Sequence, residues 1–260
     1  MLIPEKLSYF LYRRLAAAGL VRCRLAKDDQ TIWLSDKYQV ASFQDVFLDP
    51  NYWRAFQIFD ADPELVVDCG AHCGHFAILV DMCFRAKFGH SAAEYILIEP
   101  NEALHPAIHT NLVNARMRDR ARILTGLVGR KQGRATLTTN PKNYLVSQIG
   151  DGSGPGKAIQ YLDLAELTGD RPIDLLKLDI EGSEFEFIQA NPDVLARTRN
   201  AVVEVHHQVG SLEDFCRIVA SSGLKQNGPV IGGRDNVMTW FAQEPAPAGK
   251  REALAALAGC

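Results

Sequence analysis

Asp68-Cys69-Gly70-Ala71-His72-Cys73-Gly74 decides how this chain of 260 residues folds. The apolar run Leu65-Val66-Val67 leads into it and reads as a buried strand. His75-Phe76-Ala77-Ile78-Leu79-Val80-Asp81-Met82 leaves it and reads as the start of a helix. A strand, a glycine-rich turn and a helix in that order make a nucleotide cradle, with the ligand at the helix N-terminus. A dinucleotide-binding turn would begin with a glycine at position 68. Gly70 keeps the second glycine of that pattern and Gly74 closes the turn, but position 68 is an acid. A carboxylate there repels a pyrophosphate and favours a ligand with a cationic centre.

The amino group of S-adenosylmethionine is such a centre, so Asp68 turns the reading from redox enzyme toward methyltransferase. Apolar residues make up 47% of the chain and charged residues 23%, the balance of a soluble globular protein. The length suits one α/β domain with an N-terminal extension. A net charge of −3 without a long basic block argues against nucleic acid as a partner. No apolar run approaches the ~20 residues of a membrane span. The N-terminus lacks a signal-peptide layout. Leu7, Phe10, Leu11, Leu15 and Ala18 fall at helical spacing beside Arg13 and Arg14, which suits a helix packed on the domain or in a homodimer; an interfacial membrane helix is the alternative. Cys23, Cys69, Cys73, Cys83, Cys216 and Cys260 form no C-x-x-C pair and read as reduced thiols of a cytoplasmic protein. Cys69, His72, Cys73 and His75 fit no standard zinc spacing, so no metal is expected there.

Three regions follow from the pattern: a cap over 1–60, a catalytic domain over 61–243 and a tail over 244–260. In the cap, residues 1–20 read as a helix. Val21–Leu25, Thr31–Leu34 and Tyr38–Ser42 read as short strands, and 43–60 as helix broken at Asp49-Pro50. Beyond it, strands at Leu65–Asp68, Tyr95–Glu99, Ile123–Leu127, Ile173–Asp179 and Ala201–His206 alternate with helices at Phe76–Ala86, Ala103–Asn114, Glu184–Ala190 and Leu212–Ser222. Such alternation predicts an α/β fold with a doubly wound, mostly parallel sheet. Leu224–Gln226 and Val237–Phe241 predict a C-terminal antiparallel hairpin. Thr138–Gln160, polar and glycine-rich, reads as a lid or substrate loop, or as a disordered surface excursion.

Ligands of this fold class bind beyond the carboxyl ends of the strands, so chemistry is sought where each strand stops. Glu99 ends the second and can accept from two ribose hydroxyls; capping before Pro100 is the plainer reading. Lys177-Leu178-Asp179-Ile180-Glu181-Gly182-Ser183-Glu184 ends the fourth, with Lys177 and Asp179 on one face. Crowded acids there are functional candidates, and Glu181 and Glu184 also favour the dipole of the next helix. Glu204-Val205-His206-His207 ends the fifth, and His206 is suited to act as a general base near neutral pH; a structurally satisfied histidine is the plainer reading.

Taken together, three blocks in order resemble the FkbM family of S-adenosylmethionine-dependent methyltransferases. They are Val66 to Gly74, then Glu99-Pro100-Asn101 with Asn111-Leu112 and Asn114, then Leu162-Asp163 with Ile173 to Glu184; Val202 to His206 fits the family's fifth strand. The resemblance spans roughly residues 60 to 210. His72, where the family often has Asn, and Cys73, where it has a small or aliphatic residue, depart from it. The resemblance implies a Rossmann-like class I methyltransferase sheet that binds S-adenosylmethionine through Asp68, Gly70, Ala71, His72, Gly74, Glu99, Asn101 and Asp179. It implies O-methylation of a hydroxyl on a sugar, glycolipid or polyketide-like small molecule. His206 is then the expected base, with Asp179 or Glu181 as competitor, Lys177 orienting Asp179 or the acceptor, and Glu204 beside them. A divalent metal on Asp179, Glu181 and Glu204 is a weaker idea. A non-catalytic methyltransferase-like binding module and a nucleotide-dependent oxidoreductase are the alternatives.

Overall fold

A computed structural model describes residues 21–24, 30–140, 143–150, 156–232 and 235–243. The expected helix over 1–20 and the tail from 244 lie outside the described residues. β1 (Val21–Arg24) and β2 (Thr31–Leu34) pair antiparallel. Helix α1 (Lys37–Phe47) follows where the sequence reading placed a strand at Tyr38–Ser42. The reason is local. Asp36 caps the helix by accepting from the N–H groups of Tyr38 at 2.8 Å and Gln39 at 2.9 Å. Gln39 reaches back to the Ser35 N–H at 3.0 Å, in the manner of a capping box. Val40, Val46 and Phe47 then bury one helical face. A short 3₁₀ turn and helix α2 (Ala55–Ile58) complete this segment.

Eight strands form the main sheet, which is built on β3 (Leu65–Cys69), all five of whose residues are buried. β4 (Glu94–Ile98) and β5 (Ala121–Leu124) extend it in parallel on one side. A separate antiparallel sheet follows in the chain, made of β6 (Arg134–Asn140), β7 (Asn143–Gly150) and β8 (Lys157–Gln160). It replaces the loop expected over Thr138–Gln160. Ala135, Leu137, Ile159 and Tyr161 bury a small core of their own with Leu127. On the other side of β3 stand β9 (Ile173–Leu178) and β10 (Thr198–His206), again parallel. β11 (Lys225–Gln226), β12 (Ile231–Gly232) and β13 (Asn236–Ala242) close this edge. β13 runs antiparallel to β10 and pairs with both β11 and β12, so the expected hairpin gains a second short strand from its glycine-rich connection.

Helices cover both faces. α3 (His75–Phe88) and α4 (His105–Asn114) lie on the face that also packs α1 and α2, and share a core with Tyr52, Phe59 and Trp240. α5 (Leu164–Thr168), α6 (Glu184–Ala190), α7 (Pro192–Ala196) and α8 (Leu212–Ala220) serve the second core. No helix among the described residues is long and apolar enough to cross a membrane.

Asp81 on α3 ties the N-terminal segment to this layer. Its fully buried carboxylate meets Arg85 at 2.6 Å, Arg120 at 2.9 Å, the Tyr95 hydroxyl at 3.2 Å and the Gln30 amide at 3.2 Å. Asp81→Ala strands these donors and is expected to cost roughly 2–4 kcal/mol. Urea denaturation should show it as a lower midpoint at unchanged slope; an unchanged midpoint would refute the assignment.

Candidate functional site

β3 has β4 on one side and β9 on the other, so the chain order reverses there. A crevice opens at such a switch point beyond the carboxyl ends of the strands. The cavity found there has a volume of about 780 Å³, within the ~300–1,000 Å³ usual for small-molecule sites. Of the residues singled out in the sequence, Gly70, Ala71, His72, Glu99, Lys177, Asp179, Glu181, Glu204 and His206 line it. Asp68, Gly74 and Asn101 do not.

The turn after β3 is held by its own geometry. Gly70 has φ +80°, and a Cβ on it would stand 1.8 Å from the Asp179 carbonyl oxygen, so only glycine lets the turn approach the end of β9. His72 takes φ +50° and donates its N–H to Glu99 Oε2 at 2.8 Å. Asn101 donates its N–H to Glu99 Oε1 at 2.9 Å. Asn101 therefore shapes the acid instead of facing the cavity. Burial pushes the Glu99 carboxyl up to about 7, against the pull of these two N–H groups. Each Glu99 oxygen keeps a second lone-pair direction for a ligand hydroxyl.

Asp68 departs from its expected place. The β3–β9 register sets it beside Lys177, and its carboxylate is fully buried. The cation it meets is the Lys177 ammonium at 3.6 Å, not a group in the cavity. Burial raises the Asp68 pKa, and Lys177 works against that rise. Lys177 also donates to the Gly70 carbonyl at 2.9 Å and to Asp179 at 3.0 Å. Although burial opposes its charge, Asp179 and Asp68 hold its pKa above the ordinary lysine range. Lys177 thus works as a buried cationic staple between the turn and the end of β9, and it orients Asp179.

His206 ends β10 with its Nδ1 at 2.9 Å from Glu184 Oε1 on α6. That carboxylate is fully buried and also accepts the Gly182 N–H at 3.0 Å. Because Glu184 only accepts, Nδ1 carries the proton, and Nε2 lies at 3.7 Å from Glu181. The hydrogen bond to Glu184 raises the His206 pKa to about 9, against burial. Burial and Asp179 raise Glu204, whose Oε1 accepts from Asn236 on β13. Burial, with Asp179 next, also raises the half-exposed Glu181, which sits at φ +53°. Among the described residues no group of three or more His, Cys, Asp or Glu is arranged to hold a metal ion.

Several lining residues were missed by sequence reasoning. Ser42, Asp45 and Tyr52 come from the N-terminal segment, Leu137 and Ile149 from the antiparallel sheet, and Asn236 and Met238 from β13. Ser42 fell in the stretch misread as strand, whereas the Asp36 cap signal would have placed it on a helix. Glu184 was read as one of the crowded acids after the fourth strand and as a helix-start acid, and nothing local points to His206.

A model of the methyltransferase FkbM domain matches residues 68–223. No curated protein matches the chain. Its fold is similar to that of methyltransferase FkbM from Methylobacillus flagellatus, at TM-score 0.51 and 14% identity, over 90% of this chain and 59% of that one. This chain therefore spans about three-fifths of that structure's length. A precorrin-6y C5,15-methyltransferase from Geobacter metallireducens matches at TM-score 0.43 and 11% identity, over 74% of this chain and 86% of that one. A TehB-like SAM-dependent methyltransferase from Corynebacterium glutamicum matches at 0.42 and 10%, over 80% and 97%.

Proposed function

Because the chain belongs to the FkbM methyltransferase family, we propose that its cavity binds S-adenosylmethionine and serves O-methylation of a sugar, glycolipid or polyketide-like hydroxyl. The observation that carries this reading is that Glu99 and His206, the latter backed by the buried Glu184, open into one cavity at the switch point of the sheet. The residues present suit the cofactor. Glu99 offers acceptor capacity for ribose hydroxyls, Gly70 lets the turn close against the end of β9 so that both line one cavity, and Asp179 presents an anchored carboxylate. When bound, the cofactor supplies an electrophilic methyl group on a sulfonium.

The protein's own work is then positioning and proton transfer. Holding two reactants aligned can supply ~7–11 kcal/mol of the barrier. An alcohol is a weak nucleophile, so a base within reach of its proton helps. His206 Nε2 takes that proton, and Glu184 stabilises the imidazolium that results. Asp179 is less suited as base because Lys177 holds its carboxylate. Asp68 serves indirectly, by neutralising Lys177 beneath the turn.

The test uses methyl-labelled S-adenosylmethionine with a panel of glycosides, glycolipids and hydroxylated polyketides, alongside amine and carboxylate acceptors. Label in an alkali-stable ether supports the reading. Label confined to an amine or ester contradicts it. A companion prediction concerns the ribose: Glu99→Ala should weaken S-adenosylhomocysteine binding by about 10–100-fold in calorimetry, the loss of one or two charge-assisted hydrogen bonds. Unchanged affinity would remove Glu99 from the site.

A further inference from the structure

His75 is the first residue of α3 and lines the cavity, yet the mechanism above does not use it. Its side chain is 1% exposed, held edge-on against Phe43 and Phe47 at ring distances of 6.0 and 6.5 Å. Nδ1 lies 3.0 Å from the Ser42 hydroxyl on α1. Nε2 is buried and has no hydrogen-bond partner. A polar atom left so costs free energy until a ligand or water meets it. Burial first, and then His72, lowers the pKa to about 3, so the ring is neutral.

The surroundings specify what that atom would meet. α3 has fourteen residues, its cap Gly74 offers no side chain, and its first turn holds no acid. The Ala77 N–H of that turn is directed at the buried Asp68, which leaves the His75 end of the helix and its dipole to favour an anion brought by the ligand. If Ser42 donates its single hydroxyl proton to Nδ1, Nε2 must carry the imidazole proton and act as donor. We infer that His75 Nε2–H, its tautomer set by Ser42, receives the carboxylate at the amino-acid end of the cofactor, which makes Ser42 a positioning residue. The inference rests on the cofactor reading above. It assigns to α1 a part in cofactor binding that neither the glycine turn nor Glu99 supplies.

The test compares S-adenosylhomocysteine with 5′-methylthioadenosine, which keeps the adenosine and thioether but lacks the amino acid. Both are titrated by calorimetry at pH 7.5 into wild type, His75→Phe, His75→Gln and Ser42→Ala. Phe keeps the ring packing against Phe43 and Phe47. His75→Phe should bind S-adenosylhomocysteine about tenfold more weakly and methylthioadenosine as wild type does. His75→Gln, whose amide can donate, should recover part of the loss. Equal affinity of His75→Phe and wild type for S-adenosylhomocysteine would overturn the assignment, as would equal losses for both ligands. Should His75→Phe lack a cooperative melt, Ser42→Ala decides: a loss of about threefold for S-adenosylhomocysteine alone supports the inference, and none refutes it. Wild type binding neither ligand would sink the cofactor reading and this inference with it. Wild type binding both, with the variants unaffected, would sink this inference alone.

Discussion

His206→Ala should lower kcat by about 10²–10⁴-fold, the usual contribution of a positioned general base, the role proposed for it. The pH dependence makes the expectation sharper. Glu184 raises the folded pKa of His206 to about 9, and only the unprotonated ring can accept the acceptor's proton. Wild-type kcat should therefore climb close to tenfold per pH unit up to about 9 and then level off, and the variant's residual rate should lack that limb. At pH 7 the competent fraction is on the order of one hundredth, set by the two-unit gap. Glu184→Gln removes the negative partner and keeps an acceptor for Nδ1, so the limb should move toward lower pH. Stability should follow the opposite sign. The pairing of protonated His206 with Glu184 contributes fully below about 6.5, the ordinary histidine value, and is lost as pH rises through about 9. Melting temperature should thus fall across that window in wild type more than in His206→Ala. A flat kcat profile between pH 6.5 and 9 would exclude His206 as the base.

Lys177→Met should be the most damaging single change to the fold. It leaves Asp68 buried without its cation, frees Asp179 and removes the donor to the Gly70 carbonyl. Breaking a buried ion pair on one side costs ~3–5 kcal/mol, because the remaining charge is uncompensated. Adding Asp68→Asn to Lys177→Met should restore part of that loss, since the amide needs no counter-charge. The pair should be measured as a double-mutant cycle in urea. A Lys177→Met cost under ~1 kcal/mol, or a double variant no better than the single, would contradict the staple.

The glycine turn, the five parallel strands and the helices between them were legible because each is written in local period. Glu184–Ala190 was read to the residue and the other three expected helices to within a few residues, whereas the short α5 and α7 were not foreseen. The Tyr38–Ser42 stretch misled because Tyr and Val favour strands, while the Asp36 cap and the burial of Val40, Val46 and Phe47 select a helix. The sheet of β6, β7 and β8 was hidden because its alternation is brief. Leu137 and Ile159 bury together only after β6 has paired with β8, across sixteen intervening residues that carry little apolar signal. At the site, strand ends named Glu99, Asp179, Glu181, Glu204 and His206, all of which line the cavity, yet their pairings stayed invisible. Asp68 meets Lys177 through the β3–β9 register, and His206 meets Glu184 across two elements. Those contacts change the reading: Asp68 supports Lys177, and Glu184 is the partner of His206, the base proposed above.

The proposed cofactor site is the cavity at the switch point of the sheet. A crystal structure grown with S-adenosylhomocysteine tests it most directly. The ligand is expected in this cavity, its ribose hydroxyls on Glu99, its thioether beside the Gly70 turn and facing His206. Ligand bound elsewhere on the protein, or an empty cavity at saturating ligand, would contradict it.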